Sequence, residues 1–175
     1  MTQLSALGLA AWMILAPAVD RPTSDDVLAM MASVDASGIY ARVGHARQIA
    51  DAIADKAEAL DGMSLRESEA LMAVFAAKES ANQLCPAGDG GKSLGTFQLQ
   101  GVERDVACDP GRSLPLWIAK AKWSVTFCAD NAPDERLAAL ASGRCDRGRE
   151  KVAARVRMAR AIAAVRDDQG AAALE

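Results

Sequence analysis

An all-α domain, with at most a minimal β element, is the fold class this 175-residue sequence predicts. Three observations predict it. Ala, Leu and Arg are abundant while Tyr and Phe are scarce, a mixture that favours helix over sheet. Helix-start signals recur along the chain. There is no internal repeat, and no strand–helix alternation of the kind a parallel sheet leaves. The length suits one domain with a proper core and is short for two. With 51% apolar and 25% charged residues the chain is far from a disordered composition. A formal charge of -3 excludes a global pull toward nucleic-acid phosphate.

The first 20 residues stand apart. Leu4 to Val19 reads LSALGLAAWMILAPAV, an apolar run too short for a comfortable membrane span but of the length of a signal-peptide core. Ala16-Pro17-Ala18 supplies small residues for cleavage, although Met1-Thr2-Gln3 carries no Lys or Arg. Residues 1–20 are therefore read as an export signal, with an apolar N-terminal helix as the alternative, and no stable membrane span is expected.

Residues 21–62 form an N-terminal helical region. Pro22 and Ser24-Asp25-Asp26 suit a helix start, and Val27, Leu28, Met30 and Met31 give it an apolar face. After a break at residues 35–38, a longer helix is expected from Ile39 to Leu60, on the spacing of Ile49, Ile53, Ala57 and Leu60. His45, the single histidine, falls among its polar neighbours as a surface residue. Asp61-Gly62 ends that helix.

Residues 63–168 hold the chemistry. Ser64-Leu65-Arg66-Glu67 matches the capping box, in which Ser and Glu side chains satisfy the exposed amides of a helix start. That helix runs through Leu71, Met72, Val74 and Phe75 to about Asn82, with enough alanine to be buried easily. Glu79 lies in its last turns, where the helix dipole opposes a negative charge. Leu84 to Gly101 is a glycine-rich loop, in which Phe97 to Gln100 reads as a short strand or a turn. Asp109-Pro110 opens an apolar helix through Trp117 to Cys128, with Trp117 and Trp123 as core or groove wall. Pro133-Asp134-Glu135 opens another helix, 143–148 is a loop, and a last helix spans Arg149 to Val165. Residues 169–175 are a tail whose Ala-Ala-Ala-Leu-Glu ending resembles expression-vector sequence and is set aside. The basic run from Arg144 to Arg166 reads as a solvated helix face, or as a surface held near an anionic polymer such as a cell wall.

Cys85, Cys108, Cys128 and Cys145 crowd the second half of the chain without a CxxC or Cys/His cluster. An even number in a loop-rich region suggests two disulfides and an oxidising compartment, and argues against a zinc site. Three pairings are open. Cys85–Cys108 with Cys128–Cys145 is favoured because each closes a local loop.

A lone Glu on an alanine-rich helix is ordinarily a solvated residue. Here Glu79-Ser80 is followed by Gly88-Asp89-Gly90-Gly91-Lys92-Ser93-Leu94-Gly95-Thr96-Phe97-Gln98-Leu99, an E-S, glycine-rich loop, S-x-G-x-x-Q pattern. The pattern resembles the signature of the soluble lytic transglycosylases and goose-type lysozymes, from about Leu71 to Arg160. The resemblance implies a lysozyme-like helical domain with a catalytic groove, with Glu79 as the catalytic acid. Ser80, Asp89, Ser93, Gly95, Gln98 and Gly143 become the expected substrate-binding residues. It implies no cofactor and no metal. The implied substrate is the glycan strand of peptidoglycan, in the periplasm or outside the cell, or at a virion. Envelope, phage or secretion-machine partners are compatible with it.

The residue types suit that chemistry. Breaking a glycosidic bond needs an acid that still holds its proton near neutral pH, a state favoured by apolar burial and a helix C-terminus. Glycines let backbone approach a sugar closely, and Gln98 offers a donor and an acceptor. The resemblance implies a one-carboxylate mechanism, in which the muramic 6-hydroxyl attacks and leaves a 1,6-anhydro end. A hydrolytic enzyme would need a second carboxylate, for which Asp89 comes first and Asp105 and Asp109 follow. The families carry Ala-Tyr-Asn-x-Gly where this chain has Ala139-Leu140-Ala141-Ser142-Gly143, so Leu140 stands at the tyrosine position. A catalytically inactive glycan-binding protein of the envelope is the alternative from another class.

Overall fold

The computed structural model describes residues 21–34 and 44–172. The Leu4–Val19 segment, the break at 35–38 and Tyr40 lie outside the described residues. The chain is mostly helical, with one small three-stranded antiparallel sheet. In order, the elements are α1 (Ser24–Val34), α2 (Gly44–Lys56), α3 (Leu65–Ser80), β1 (Ala87–Gly88), β2 (Ser93–Leu94), β3 (Leu99–Gln100), α4 (Arg104–Ala107), α5 (Pro110–Phe127), α6 (Ala138–Ser142) and α7 (Arg149–Ala172).

The centre of the fold is α3. Ser64 Oγ accepts from the Glu67 amide at 3.1 Å while the Ser64 amide donates to the Glu67 carboxylate at 2.7 Å, so the capping box forms as its sequence requires. Residues 68–77 of this helix are all buried, because alanines on most sides let α1, α2 and α7 approach closely. The apolar core runs from Val27, Met30 and Met31 through Ile49 and Ile53 to Leu71, Val74, Trp117, Val152 and Val156. Among the described residues no helix is long and apolar enough to cross a membrane.

The end of α3 is unusual. Ala81 (φ 52°) and Asn82 (φ 58°) are both left-handed, a conformation that costs a non-glycine residue about 1–2 kcal/mol. Their amides bond back to Ala77 O at 3.0 Å and Ala76 O at 3.3 Å, closing the helix immediately after Glu79 and Ser80. The chain then turns into the sheet, where Ala87 pairs with Leu94 and Ser93 with Gln100.

Asp109 caps α5 as expected, accepting from Gly111 N at 2.8 Å and Arg112 N at 3.2 Å, with Pro110 in the first turn where no amide donor is missed. Four expectations are corrected. The helix expected to reach Leu60 ends at Lys56. Trp123 is exposed and stacked on Phe127, neither core nor groove wall. Pro133–Glu135 is a 3-10 turn, and the α-helix begins at Ala138. The turn is pinned from α7, where Arg160 pairs with Asp134 and Arg149 lies 3.6 Å from Glu135. The last helix continues past Val165 to Ala172.

Both disulfides form in the favoured pairing, Cys85–Cys108 and Cys128–Cys145. The first ties the loop after α3 to the end of α4. The second ties the end of α5 to the loop before α7. Two such bonds fit folding in an oxidising compartment.

Candidate functional site

Glu79 projects from the last turn of α3 into a groove of about 450 Å³, a volume typical of small-molecule and sugar sites. Phe75 lies one turn before it, and its ring meets Trp117 edge-on at 5.1 Å between centroids. Trp117 in turn contacts Phe97 at 5.8 Å, so three rings floor the groove. The sheet makes one wall, Lys120 of α5 and Leu140 to Gly143 line other parts, and Lys151 of α7 closes the rim.

The surroundings of Glu79 differ from the apolar pocket expected for a proton donor. Arg155 hydrogen-bonds through Nη1 to Oε1, and Lys151 Nζ lies 3.8 Å from the same oxygen. Oε2 accepts no hydrogen bond among the described residues. The Arg155 side chain is only 6% exposed, and its guanidinium carbon lies 4.5 Å above the Phe75 ring centroid. One buried cation thus fixes the carboxylate's orientation and packs on the groove floor. Sequence reading missed Arg155 by treating the basic run as one face. The signal was present, since Val152, Val156, Ala159 and Ala163 mark the buried stripe of α7 and Arg155 falls inside it.

Of the residues expected to contact substrate, Asp89, Ser93, Gln98 and Gly143 line the groove with Glu79, whereas Ser80 and Gly95 do not. Ser80 is buried, its hydroxyl donating to Ala76 O at 2.6 Å. Gly95 has φ 77°, and a Cβ there would fall 1.8 Å from Ala107 O. Its missing side chain admits the backbone of α4, where a sugar had been expected. Gln98 has φ 49°, and its amide donates to Gly95 O at 2.9 Å and Pro86 O at 3.3 Å. Its donors are therefore spent on the loop. The Gln98 carboxamide oxygen lies against Gly88, 2.1 Å from where a Cβ would be.

Asp89, Ser93 and Gln100 form a chain along this wall. Ser93 Oγ donates to Asp89 Oδ2 at 2.7 Å and accepts from Gln100 Nε2 at 3.1 Å. Asp105 and Asp109 stand outside the groove. Asp105 binds Arg112 at 2.9 Å, and that hydrogen bond holds its carboxyl below the usual range. The Asp109 carboxylate is spent on its helix cap. Leu140, at the tyrosine position of the resembled families, lines the groove and is nearly buried.

Lys120 is the other residue that sequence reading passed over. It lies one turn beyond Trp117 on α5, half-buried, and burial pulls its ammonium below the ordinary lysine range. Among the described residues, no group of three or more His, Cys, Asp or Glu side chains gathers as a metal site would. No family model, curated protein or solved structure matches this chain.

Proposed function

We propose that this protein is a peptidoglycan lytic transglycosylase that cleaves the MurNAc–GlcNAc β-1,4 bond, with Glu79 as general acid and then general base. The observation that carries the reading is the position of Glu79. It is a carboxylate at the end of a buried helix, open to a sugar-sized groove walled by the glycine-rich loop of the E-S…S-x-G-x-x-Q pattern.

In this reading Glu79 gives its proton to the glycosidic oxygen as the bond from that oxygen to the muramic C1 breaks. The resulting carboxylate takes the proton of the muramic 6-hydroxyl while that oxygen bonds to C1. The glycan leaves with a 1,6-anhydro end, no water is consumed, and Glu79 regains its proton. One carboxylate suffices for both halves. Arg155, holding Oε1, is a positioning residue that leaves Oε2 for the transfer. Flat sugar faces suit the aromatic floor of Phe75, Trp117 and Phe97. The setting is the periplasm or the cell exterior, in keeping with the disulfides.

Digestion of purified sacculi tests the reading. Wild type should release muropeptides with anhydro ends by mass spectrometry, and Glu79→Gln should release none while still folding to the same helical content, at a lower thermal midpoint because Arg155 loses its carboxylate. Undiminished release by Glu79→Gln sinks the assignment. Reducing ends in place of anhydro ends point to a hydrolytic muramidase, with Asp89 as the second carboxylate.

A second reading is a glycan-binding envelope protein that does not cut. The engagement of Glu79 by Arg155, together with Leu140 at the tyrosine position, favours it. Sacculus binding without released muropeptides is its signature.

A further inference from the structure

The groove contains a cation that no acid among the described residues answers. Lys120 lines the groove and is half-buried, yet among the described residues its ammonium has neither an ion-pair partner nor a hydrogen-bond acceptor. The other charges of the site are engaged. Arg155 serves Glu79 and the Phe75 ring, Lys151 leans toward the same carboxylate, and Asp89 accepts from Ser93. The nearby α5 cation Lys122 instead pairs outward with Glu58. Lys120 therefore bears the cost of partial desolvation without the compensation that buried charges normally find. A ligand anion entering the groove would supply that compensation.

We propose that Lys120 is an anion subsite of the groove, built to take a carboxylate carried by the glycan. The inference rests on the glycan-strand reading above and assigns one residue to the recognition of the strand's charge. The protein selects strands bearing muramic acid carboxylates or their attached peptide carboxylates over neutral polymers of N-acetylglucosamine. Two sources share this chemistry, the lactyl carboxylate of an unsubstituted muramic residue and the carboxylates of a peptide stem.

The test is binding measured by rapid-mixing tryptophan fluorescence before turnover, with Trp117 in the groove as reporter. Wild-type protein is used, because Glu79→Gln would release the Arg155 guanidinium and add a second cation. Three tetrasaccharides are compared: chitotetraose, a GlcNAc–MurNAc tetramer with free lactyl groups, and the same tetramer carrying peptides. Wild type is expected to bind at least one anionic ligand about tenfold more tightly than chitotetraose, as a charge-assisted contact commonly provides. Lys120→Met removes that preference by weakening the anionic ligands more than chitotetraose, and Lys120→Arg keeps it. Preference for the free tetramer alone assigns the lactyl carboxylate, and preference for the peptide-bearing one alone assigns the stem. Equal affinities in wild type, or a preference that survives Lys120→Met, overturn the anion subsite and leave the glycan reading standing. Failure of wild type to bind any of the three overturns both.

Discussion

Arg155 reaches from α7 to Glu79, 76 residues earlier in the chain, and joins the end of α3 to the floor of the groove by resting on Phe75. The contact links packing to chemistry, because the side chain that orients the candidate acid is also part of the core. Removing it should therefore disturb stability and site geometry together.

Arg155→Ala is expected to destabilise the fold by about 3 kcal/mol, since breaking a buried pair leaves one charge uncompensated. Arg155→Met, which keeps apolar contact with Phe75, should lose less. Urea unfolding gives both values. A double-mutant cycle with Glu79→Gln should show non-additivity, and simple addition of the two effects would sever the proposed coupling.

Glu69 predicts an acid-side gain in stability. It is 1% exposed in α3, and its Oε2 lacks a partner among the described residues. Burial pushes its carboxyl up to about 7, with Arg66 and then Arg21 pulling the other way and Asp26 adding to the rise. Between the unfolded value of 4.5 and about 7, the folded state holds a proton that the unfolded state has released. Stability from this group is thus fully present below 4.5, falls as pH rises to about 7, and is flat above. The total is about 3 kcal/mol. Urea midpoints at pH 5 and pH 8 should differ accordingly, and Glu69→Gln should flatten the difference. A wild-type midpoint that rises with pH over this window contradicts the assignment.

The disulfides frame the groove. Each closes a loop whose loss should cost about 3 kcal/mol. Cys85–Cys108 encloses the sheet residues of the groove and Cys128–Cys145 encloses Leu140 to Gly143. Reduction with dithiothreitol should lower the thermal midpoint and weaken the proposed glycan binding in parallel. Unchanged binding by the reduced, folded protein would show that the loops hold their shape alone.

Gly95 and Gly88 should respond unequally to alanine. At Gly95 the new Cβ meets backbone at 1.8 Å with φ 77°, and a loss of about 3 kcal/mol or more is expected. At Gly88 it meets the movable Gln98 carboxamide on ordinary backbone, φ −113°, so stability should fall by only about 1–2 kcal/mol. Gly88→Ala should nevertheless displace Gln98 from Gly95 O and weaken the proposed glycan binding. Thermal melts with binding isotherms separate the two effects. Equal destabilisation of both variants contradicts the contacts described.

Local signals carried much of the architecture. Ser64 and Glu67 lie three residues apart, and Asp109 precedes Pro110, so their caps depend on neighbours the sequence places side by side. The favoured disulfide pairing followed similarly from loop length. The candidate groove was legible where one segment supplies it, from Glu79 through Asp89 and Ser93 to Gln98. Residues brought from distant helices were not legible. Lys120 and Arg155 acquire their meaning from burial, and burial is set by which helix faces meet.

By itself the sequence determined that this is a helical chain with a minimal sheet, capped where Ser64 and Asp109 stand, with Glu79 ahead of a glycine-rich turn. Only the tertiary structure decided what surrounds that carboxylate. It turned Ser80 into the core, gave the space beside Gly95 to Ala107, committed the Gln98 donors to the loop and set Arg155 on Glu79. The physical reason is range. Caps and turns are fixed by bonds a few residues apart, whereas the electrostatic setting of a buried group is assembled from side chains that meet only when helices pack.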